Sequence, residues 1–165
     1  MIPIVSIIGK SNSGKTTLIE GLIREITHRG YRVATIKHNL HGFEIDHEGK
    51  DSWRHRRAGA HMTVMASPHQ VAVIEDAGKD YTITELRDRY IREVDIILIE
   101  GYKKNPYPKV EVYRKEISDR PLATEDDNLI AIVTDDSVNV NAPHFHKENI
   151  VELADLIVDL FLDQQ

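Results

Sequence analysis

The chain has 165 residues, and its 41% hydrophobic and 29% charged composition is typical of a globular protein with a real core. Its charge is acidic, with 21 Lys and Arg against 27 Asp and Glu, which disfavours general nucleic-acid binding. Cysteine is absent, so disulfides, thiolate metal sites and cysteine nucleophiles are excluded. With no long apolar run and no basic signal-peptide segment, we expect one cytoplasmic domain, residues 1–165.

The first elements predict the start of a parallel sheet. Residues 4–8 form a β-branched run typical of a buried strand, and residues 16–29 repeat apolar side chains on one helical face. Residues 31–37 alternate as a second strand. Strand, loop, helix and strand in this order form the unit of a parallel α/β sheet.

The remaining elements extend that pattern. Residues 38–51 are polar and predict a long functional loop, and residues 52–59 predict a short helix. A β-hairpin is predicted at 62–66 and 70–75, and Thr82 with Glu85 forms a capping box that opens a helix to about residue 92. Buried strands are predicted at 95–100 and 129–133, a half-exposed strand at 109–114 and an amphipathic helix at 148–162.

The turn after the first strand carries a phosphate-binding pattern. Residues 9–16 read Gly-Lys-Ser-Asn-Ser-Gly-Lys-Thr and match G-x-x-x-x-G-K-[ST], the Walker A pattern. Gly9 permits a tight turn, and Gly14 permits close approach of the backbone to a phosphate. Lys15 supplies a charge to the β- and γ-phosphates, and the Thr16 hydroxyl is a ligand for Mg²⁺. The sequence therefore predicts nucleotide binding.

Two carboxylates are candidates to serve the magnesium ion. Glu100 ends a predicted strand, at the edge of a parallel sheet where ligands gather. Asp46 lies in the polar loop after the second strand, where a segment that senses the γ-phosphate is expected. The alternatives are an ordinary strand-end acid and a loop-surface carboxylate. Asp95 begins its strand and is expected at the opposite edge of the sheet.

Basic side chains indicate a second anionic ligand or a second clamp on the triphosphate, with solvated loops as the alternative. Lys37 ends the second strand at the edge that carries the phosphate loop, and Lys103 follows Glu100. A further basic patch comprises Lys50, Arg54, Arg56 and Arg57. Histidines 38, 41 and 47 are closely spaced, but contacts with a ligand or plain surface positions are favoured over a zinc site.

The nucleotide base is addressed by the residues that follow the strand at 129–133. Asp135 is an acceptor-only carboxylate, which suits the amino donor of guanine better than adenine. The Asn-Lys-x-Asp signature of regulatory GTPases is absent. Asp135 as a reader of the base is therefore a hypothesis.

Taken together, these motifs resemble the MobB family, the adapter proteins of molybdopterin-guanine dinucleotide biosynthesis. The residues that carry the resemblance are Gly9 to Thr17, Ile36-Lys37-His38 with His41 and Asp46, Gly49-Lys50-Asp51-Ser52, Ala58-Gly59-Ala60, Glu100-Gly101-Tyr102-Lys103 and Pro108-Lys109. The resemblance covers about the first 115 residues well, and the tail from Pro143 matches no family pattern.

The resemblance implies a SIMIBI-like P-loop NTPase fold, with a mostly parallel sheet, helices on both faces and a β-hairpin extension. It implies GTP binding with weak hydrolysis, a homodimer, and a role beside the guanylyltransferase that joins GMP to molybdopterin. Carried over by position, GTP would contact Gly9, Lys10, Ser11, Asn12, Ser13, Gly14, Lys15, Thr16 and Thr17. Lys37, Asp46 and Glu100 would complete the site, with Thr16, Asp46 and Glu100 around Mg²⁺ and with Lys15, Asp46 and Glu100 in any slow GTPase reaction at the β–γ anhydride.

Three hypotheses follow. The leading one is a GTP-binding adapter that presents nucleotide or product to the molybdenum cofactor guanylyltransferase, with molybdopterin or its guanine dinucleotide as a second ligand. The second is a P-loop small-molecule kinase, with residues 53–60 as an arginine-rich lid and Lys103 at the acceptor. The third is a non-catalytic module in which nucleotide holds a dimer together through the strand at 109–114 and the hairpin.

Overall fold

The computed structural model describes residues 1–39, 42–43, 45–102, 105–123 and 128–163. Its elements in chain order are β1 (Ile4–Ile8), α1 (Lys15–His28), β2 (Val33–Lys37), α2 (Asp51–Arg57), β3 (Met62–Ala66), β4 (Val71–Glu75), α3 (Ile83–Tyr90), β5 (Ile96–Glu100), β6 (Lys109–Val112), β7 (Leu129–Val133), β8 (His144–Phe145) and α4 (Ile150–Phe161). The chain forms two compact units, one of Met1–His38 with Ile91–Gln165 and one of Asn39–Tyr90. No helix in the described ranges is long and apolar enough to cross a membrane.

The first unit is built on a six-stranded sheet in the order β2-β5-β1-β6-β7-β8, with every neighbouring pair parallel. This confirms the predicted α/β class with a mostly parallel sheet. Strand β1 lies between β5 and β6, so the turn after Ile8 emerges in the middle of the sheet's carboxyl edge. Strand β8, only two residues long, was not predicted, because so short a strand has no periodicity to detect.

One face of this sheet packs against α1 and α4. Alternate strand residues such as Val5, Ile7 and Leu98 form a single core with the apolar sides of the two helices. Leu22 of α1 and Leu153 of α4 are fully buried in it. Because the core holds both helix α1 and strand β1 in place, the loop between them has rigid supports on both sides.

Strand β6 corrects one prediction. The alternation at 109–114 predicted a half-exposed strand, but β6 lies inside the sheet between β1 and β7, and all four residues are buried. Lys109 is 2% exposed and Glu111 is 1% exposed. The Nζ atom of Lys109 donates to the carbonyl of Asn105 at 2.7 Å. The polar residues of the pattern therefore face a buried polar network, not water, and β6 has no open edge for pairing with a second subunit.

The second unit contains the predicted hairpin and two short helices. Strands β3 and β4 pair antiparallel, from Met62 opposite Glu75 to Ala66 opposite Val71, which confirms the β-hairpin extension. The capping box is also confirmed, because the Glu85 N–H donates to Thr82 Oγ1 at 3.2 Å and the Thr82 N–H donates to Glu85 Oε2 at 2.9 Å. Helix α2 begins at Asp51, and the described residues between β2 and α2 form no helix or strand.

Candidate functional site

The phosphate loop, residues 9–16, begins where β1 ends, and its first residue has room only for glycine. Gly9 has a φ of 150°, and a Cβ atom at this position would lie 2.5 Å from the carbonyl oxygen of Val112 and 2.7 Å from Ser13 Oγ. The loop therefore passes directly against the end of β6. This close approach bends the chain away from the sheet and back into α1.

Helix α1 begins in this loop with its amino end uncompensated. Its N-cap is Gly14, which has a φ of 100°, makes no side-chain cap and is followed by no acidic residue in the first turn. A Cβ atom on Gly14 would meet nothing within 4 Å, so the space in front of the helix is open. Free N–H groups and the positive end of the helix dipole favour an anion at this point.

Two side chains of the phosphate loop, Ser13 and Lys15, are relevant to the binding of an anion. Ser13 is buried, and its hydroxyl has no hydrogen-bond partner among the described residues. The Nζ atom of Lys15 donates to the carbonyl of Lys10 at 2.8 Å, so the lysine folds back across the loop. A buried hydroxyl without a partner is costly unless a ligand or water satisfies it. The arrangement therefore fits a loop that surrounds a phosphate.

Glu100 lies beside the first turn of α1, as its position at the end of β5 predicts. Its Oε1 atom is 3.5 Å from Thr16 Oγ1, and its Oε2 atom is 3.3 Å from Lys37 Nζ. Strand pairing explains this, because Lys37 at the end of β2 lies directly opposite Glu100. Carboxylate and hydroxyl oxygens are the ligands that Mg²⁺ prefers, and the residues at this point fit such an ion.

A stacked pair of rings, His38 and Tyr102, lies next to Glu100 in the chain and in the sheet. The rings of His38 and Tyr102 stack with centroids 3.9 Å apart, and the His38 N–H donates to the Glu100 carbonyl at 3.0 Å. Gly101 has a φ of 106°, and a Cβ atom there would lie 3.1 Å from the His38 carbonyl oxygen. The residues Ile-Lys-His and Glu-Gly-Tyr, singled out in the sequence, are thus two adjoining strand ends.

A cleft of about 410 Å³ opens on the other side of the phosphate loop. Its polar residues come from the phosphate loop, from the first turn of α1 and from the segments after β6 and β8, and apolar side chains form the rest of its walls. The lining residues are Asn12, Ser13, Gly14, Thr17, Leu18, Val112, Arg114, Glu116, Ile117, Val133, Lys147 and Ile150. Its volume lies in the range of small-molecule sites.

Asp135 lies at the carboxyl edge of β7 and is paired with the segment after β8. Its Oδ2 atom is 3.0 Å from Lys147 Nζ, and its Oδ1 atom is 3.0 Å from His146 Nε2. Burial would raise the pKa of Asp135, but the hydrogen bonds from Lys147 and the nearby charges of His146 and Lys147 outweigh it and lower the pKa below its usual value. Asp135 is therefore an ionised partner of Lys147.

The remaining predicted residues belong to the second unit or lie outside the described residues. Asp46 belongs to the second unit, where its Oδ1 atom accepts from Ser52 Oγ at 2.8 Å and its Oδ2 atom is buried without a partner among the described residues. Lys103 lies outside the described residues. The arginine patch is engaged within its own unit, because Arg56 pairs with Asp76 at 3.0 Å and Arg57 lies 5.2 Å over the ring of Trp53.

Sequence reasoning missed two cations of the cleft. Lys147 follows β8, a strand too short to recognise, and Arg114 was taken as part of a half-exposed strand. The Arg114 guanidinium donates to the carbonyls of Tyr113 and Val133 at 2.8 and 3.3 Å, so it is fixed by backbone across two strands. Strand order, which the sequence does not contain, was the missing signal.

Comparison with known proteins gives a consistent result. The model of the family "MobB: Molybdopterin guanine dinucleotide synthesis protein B" matches residues 4–135. A molybdopterin-guanine dinucleotide biosynthesis adapter protein from Haemophilus influenzae is 36% identical over 94% of this chain and 88% of that protein. Its counterpart from Escherichia coli is 32% identical over 96% and 93%.

Solved structures agree with the sequence comparison. A crystal structure of molybdopterin-guanine biosynthesis protein B superposes with a TM-score of 0.78 at 28% identity, over 96% of this chain and 98% of that one. The crystal structure of Bacillus subtilis MobB gives a TM-score of 0.75 at 32% identity, over 97% and 98%. With its phosphate loop between β1 and α1 of a parallel sheet, and with these relatives, the chain belongs to the MobB family.

Proposed function

We propose that this chain is a GTP-binding adapter of molybdopterin guanine dinucleotide biosynthesis that hydrolyses GTP slowly with Mg²⁺. The adapter role follows from its relatives, which carry that description along nearly their whole length. The nucleotide part rests on one observation, the uncapped amino end of α1 behind the phosphate loop. The first turn of α1 itself contains no acidic residue, and a triphosphate would complement the positive end of this helix.

The phosphates would be held by the backbone of residues 9–16 and by two side chains, Lys15 and Ser13. Lys15 would exchange the Lys10 carbonyl for phosphate oxygens, and the buried Ser13 hydroxyl would gain the partner that it lacks among the described residues. Gly14 leaves the space that a phosphate needs. Phosphate oxygens would give Lys15 an anionic partner and Ser13 a charge-assisted hydrogen bond, which is the stronger kind.

The metal would be held by Thr16 and Glu100, whose oxygens already face each other. Bound Mg²⁺ would neutralise charge on the β- and γ-phosphates. Lys37 holds the second oxygen of Glu100 and so orients the carboxylate. The resemblance also names Asp46, whose Oδ2 atom is buried without a partner in the described part of the second unit.

Hydrolysis would be slow because the described residues that line the cleft include one arginine and no glutamine. Fast GTPases use an arginine and a water-positioning glutamine. The arginine that lines the cleft, Arg114, is tied to two backbone carbonyls. Turnover well below 1 s⁻¹ is expected on this basis.

The adapter would act as a homodimer beside the guanylyltransferase. A specific surface supports the dimer: four side chains on one side of the hairpin are exposed and apolar, namely Met62, Val64, Val71 and Val73. Residues opposite each other in an antiparallel pair share a face, so these four form one patch, which we name the hairpin patch. An exposed apolar patch of this kind is typical of an interaction site.

Calorimetric titration with GTP, ATP and molybdopterin, with and without Mg²⁺, tests the proposal. GTP is expected to bind the full-length protein, more tightly with Mg²⁺. Lys15→Ala is expected to weaken GTP by about tenfold or more, because a charged hydrogen-bond donor is lost. Lys115→Ala removes an exposed lysine from the same unit and serves as the control.

Product analysis separates the alternatives. The adapter releases inorganic phosphate slowly, whereas phosphate transfer to a metabolite would show a kinase. Assembly that depends on GTP without any cleavage would show the non-catalytic module. Failure of every nucleoside triphosphate to bind would overturn the proposed function.

A further inference from the structure

We propose that Lys147, held by Asp135 at the rim of the cleft, selects guanine over adenine by donating a hydrogen bond to the 6-oxo group of the base. The inference rests on the proposed function, because it presumes a nucleotide on the phosphate loop. It assigns the choice of base to a residue that the sequence motifs do not mark.

The cleft connects the phosphate loop with Lys147. It starts at the phosphate loop, passes Thr17 and Leu18 on the first turn of α1, and reaches Val133 and Lys147 at the ends of β7 and β8. A triphosphate seated at the amino end of α1 would therefore direct its nucleoside into this cleft. Apolar lining residues such as Leu18, Val133 and Ile150 suit the faces of a planar base, and the polar lining residues are available for its recognition.

Lys147 makes two contacts with the carboxylate of Asp135, one from its side chain and one from its backbone. Its Nζ atom lies 3.0 Å from Asp135 Oδ2, and its own backbone N–H donates to Asp135 Oδ1 at 3.3 Å. Main chain and side chain are thus both tied to β7, which orients a residue whose side chain is still 54% exposed. An ammonium carries three donors, and Asp135 uses one of them in the described structure.

The chemistry of an ammonium distinguishes the two purines. Guanine presents O6 and N7 as acceptors on one edge, whereas adenine places an amino donor at position 6. Lys147 can only donate, so it pairs with guanine O6 and opposes the adenine amino group. Asp135, with its oxygens occupied by Lys147 and His146, then acts as a positioning residue.

A rival arrangement is built from the carboxylates near the cleft. Asp135 in direct contact with the base, or Glu116 in the cleft wall, would accept from N1–H and from the 2-amino group of guanine. The two arrangements read different atoms. Nucleotides that differ at position 2 separate recognition of the 2-amino group from recognition of O6. Loss of the 6-oxo group also removes N1–H, so the Lys147 variants distinguish O6 from N1–H.

Four triphosphates provide the test, measured by calorimetry with Mg²⁺ on the full-length protein. GTP and inosine triphosphate carry the 6-oxo group, whereas ATP and 2-aminopurine riboside triphosphate lack it. If Lys147 recognises the base, GTP and inosine triphosphate are expected to bind with similar affinity. ATP and the 2-aminopurine nucleotide are then expected to bind at least about tenfold more weakly. Tight binding of the 2-aminopurine nucleotide with weak binding of inosine triphosphate would overturn the inference in favour of the carboxylates.

Variants then locate the effect. Lys147→Met is expected to reduce the GTP-to-ATP affinity ratio by about tenfold, mostly by weakening GTP, and Lys147→Arg is expected to retain most of the ratio. Lys115→Met makes the same change at an exposed site outside the cleft lining and is expected to leave the ratio unchanged. An unaltered ratio in a Lys147→Met protein that still binds GTP would sink this inference alone. Absence of any nucleotide binding by the wild type would instead sink the proposed function.

Discussion

At the residue scale, the phosphate loop depends on two glycines for different reasons. Gly9 lies close to the backbone of β6, so a Cβ atom at this position would lie 2.5 Å from the Val112 carbonyl oxygen. Gly14 has open space around it, and only its left-handed φ of 100° disfavours other residues. Gly9 therefore serves the fold, whereas Gly14 serves the space in front of the helix.

Two alanine substitutions separate these roles. Gly9→Ala is expected to lower the free energy of unfolding by about 2 kcal/mol or more, because the backbone of β6 cannot move aside cheaply. Gly14→Ala is expected to cost about 1 kcal/mol of stability for its conformation but to weaken GTP strongly, since its methyl group would occupy the phosphate approach. Urea denaturation and calorimetry measure the two effects. Wild-type GTP affinity in Gly14→Ala would contradict this assignment.

At the scale of elements, β6 shows how a charged strand occupies the middle of a sheet. Glu111 accepts from the N–H groups of Leu122 and Ala123 at 2.6 and 2.8 Å. On the same side, Asn105 Nδ2 donates to Ser6 Oγ at 3.0 Å while its carbonyl accepts from Lys109. These contacts hold the segments before and after β6 against the sheet. They also give the buried polar side chains of Lys109 and Glu111 hydrogen-bond partners.

Removal of the Glu111 carboxylate is therefore expected to destabilise the first unit. Glu111→Ala would leave two N–H groups without their acceptor and cost about 3 kcal/mol of unfolding free energy. Glu111→Gln has nearly the same shape and one remaining acceptor oxygen, so its loss should be about half as large. Urea denaturation followed by circular dichroism compares the two. Equal stability of Glu111→Ala and the wild type would show that these bonds contribute nothing net.

At the scale of the whole molecule, the chain offers a surface that its own fold does not cover. The hairpin patch exposes 56% of Val64 and 48% of Val73, which lie opposite each other on β3 and β4. Strand β6, in contrast, has neighbours on both sides and is unavailable for pairing. Of the two segments predicted to hold a dimer, the strand at 109–114 and the hairpin, only the hairpin therefore has an exposed surface among the described residues.

A charge in the patch tests the proposed dimer. Val64→Lys is expected to raise the dimer dissociation constant by at least about tenfold, because an ammonium would be buried without a partner. Val151→Lys places the same change on the exposed side of α4 and is expected to leave assembly unchanged. Sedimentation equilibrium measures both variants. A wild-type protein that stays monomeric at micromolar concentration would refute the dimer itself.

Local signals in the sequence were sufficient for much of this protein. The phosphate loop, the β1–α1–β2 unit, the hairpin and the Thr82–Glu85 capping box were all predictable, because each depends on residues close together along the chain. The position of Glu100 was predictable for the same reason, since it ends a strongly apolar strand. Such features carry their own periodicity or spacing.

Tertiary structure alone decided the features that depend on strand order. Burial of Lys109 and Glu111 follows from the place of β6 between β1 and β7, and an alternating pattern does not distinguish water from a buried polar network. Likewise, Lys147 reaches Asp135 only because β8 pairs with β7. The sequence by itself thus determined the phosphate loop and the elements on either side of it. The residues that surround this loop were decided by contacts between segments far apart in the chain, and spacing along the sequence does not reveal such contacts.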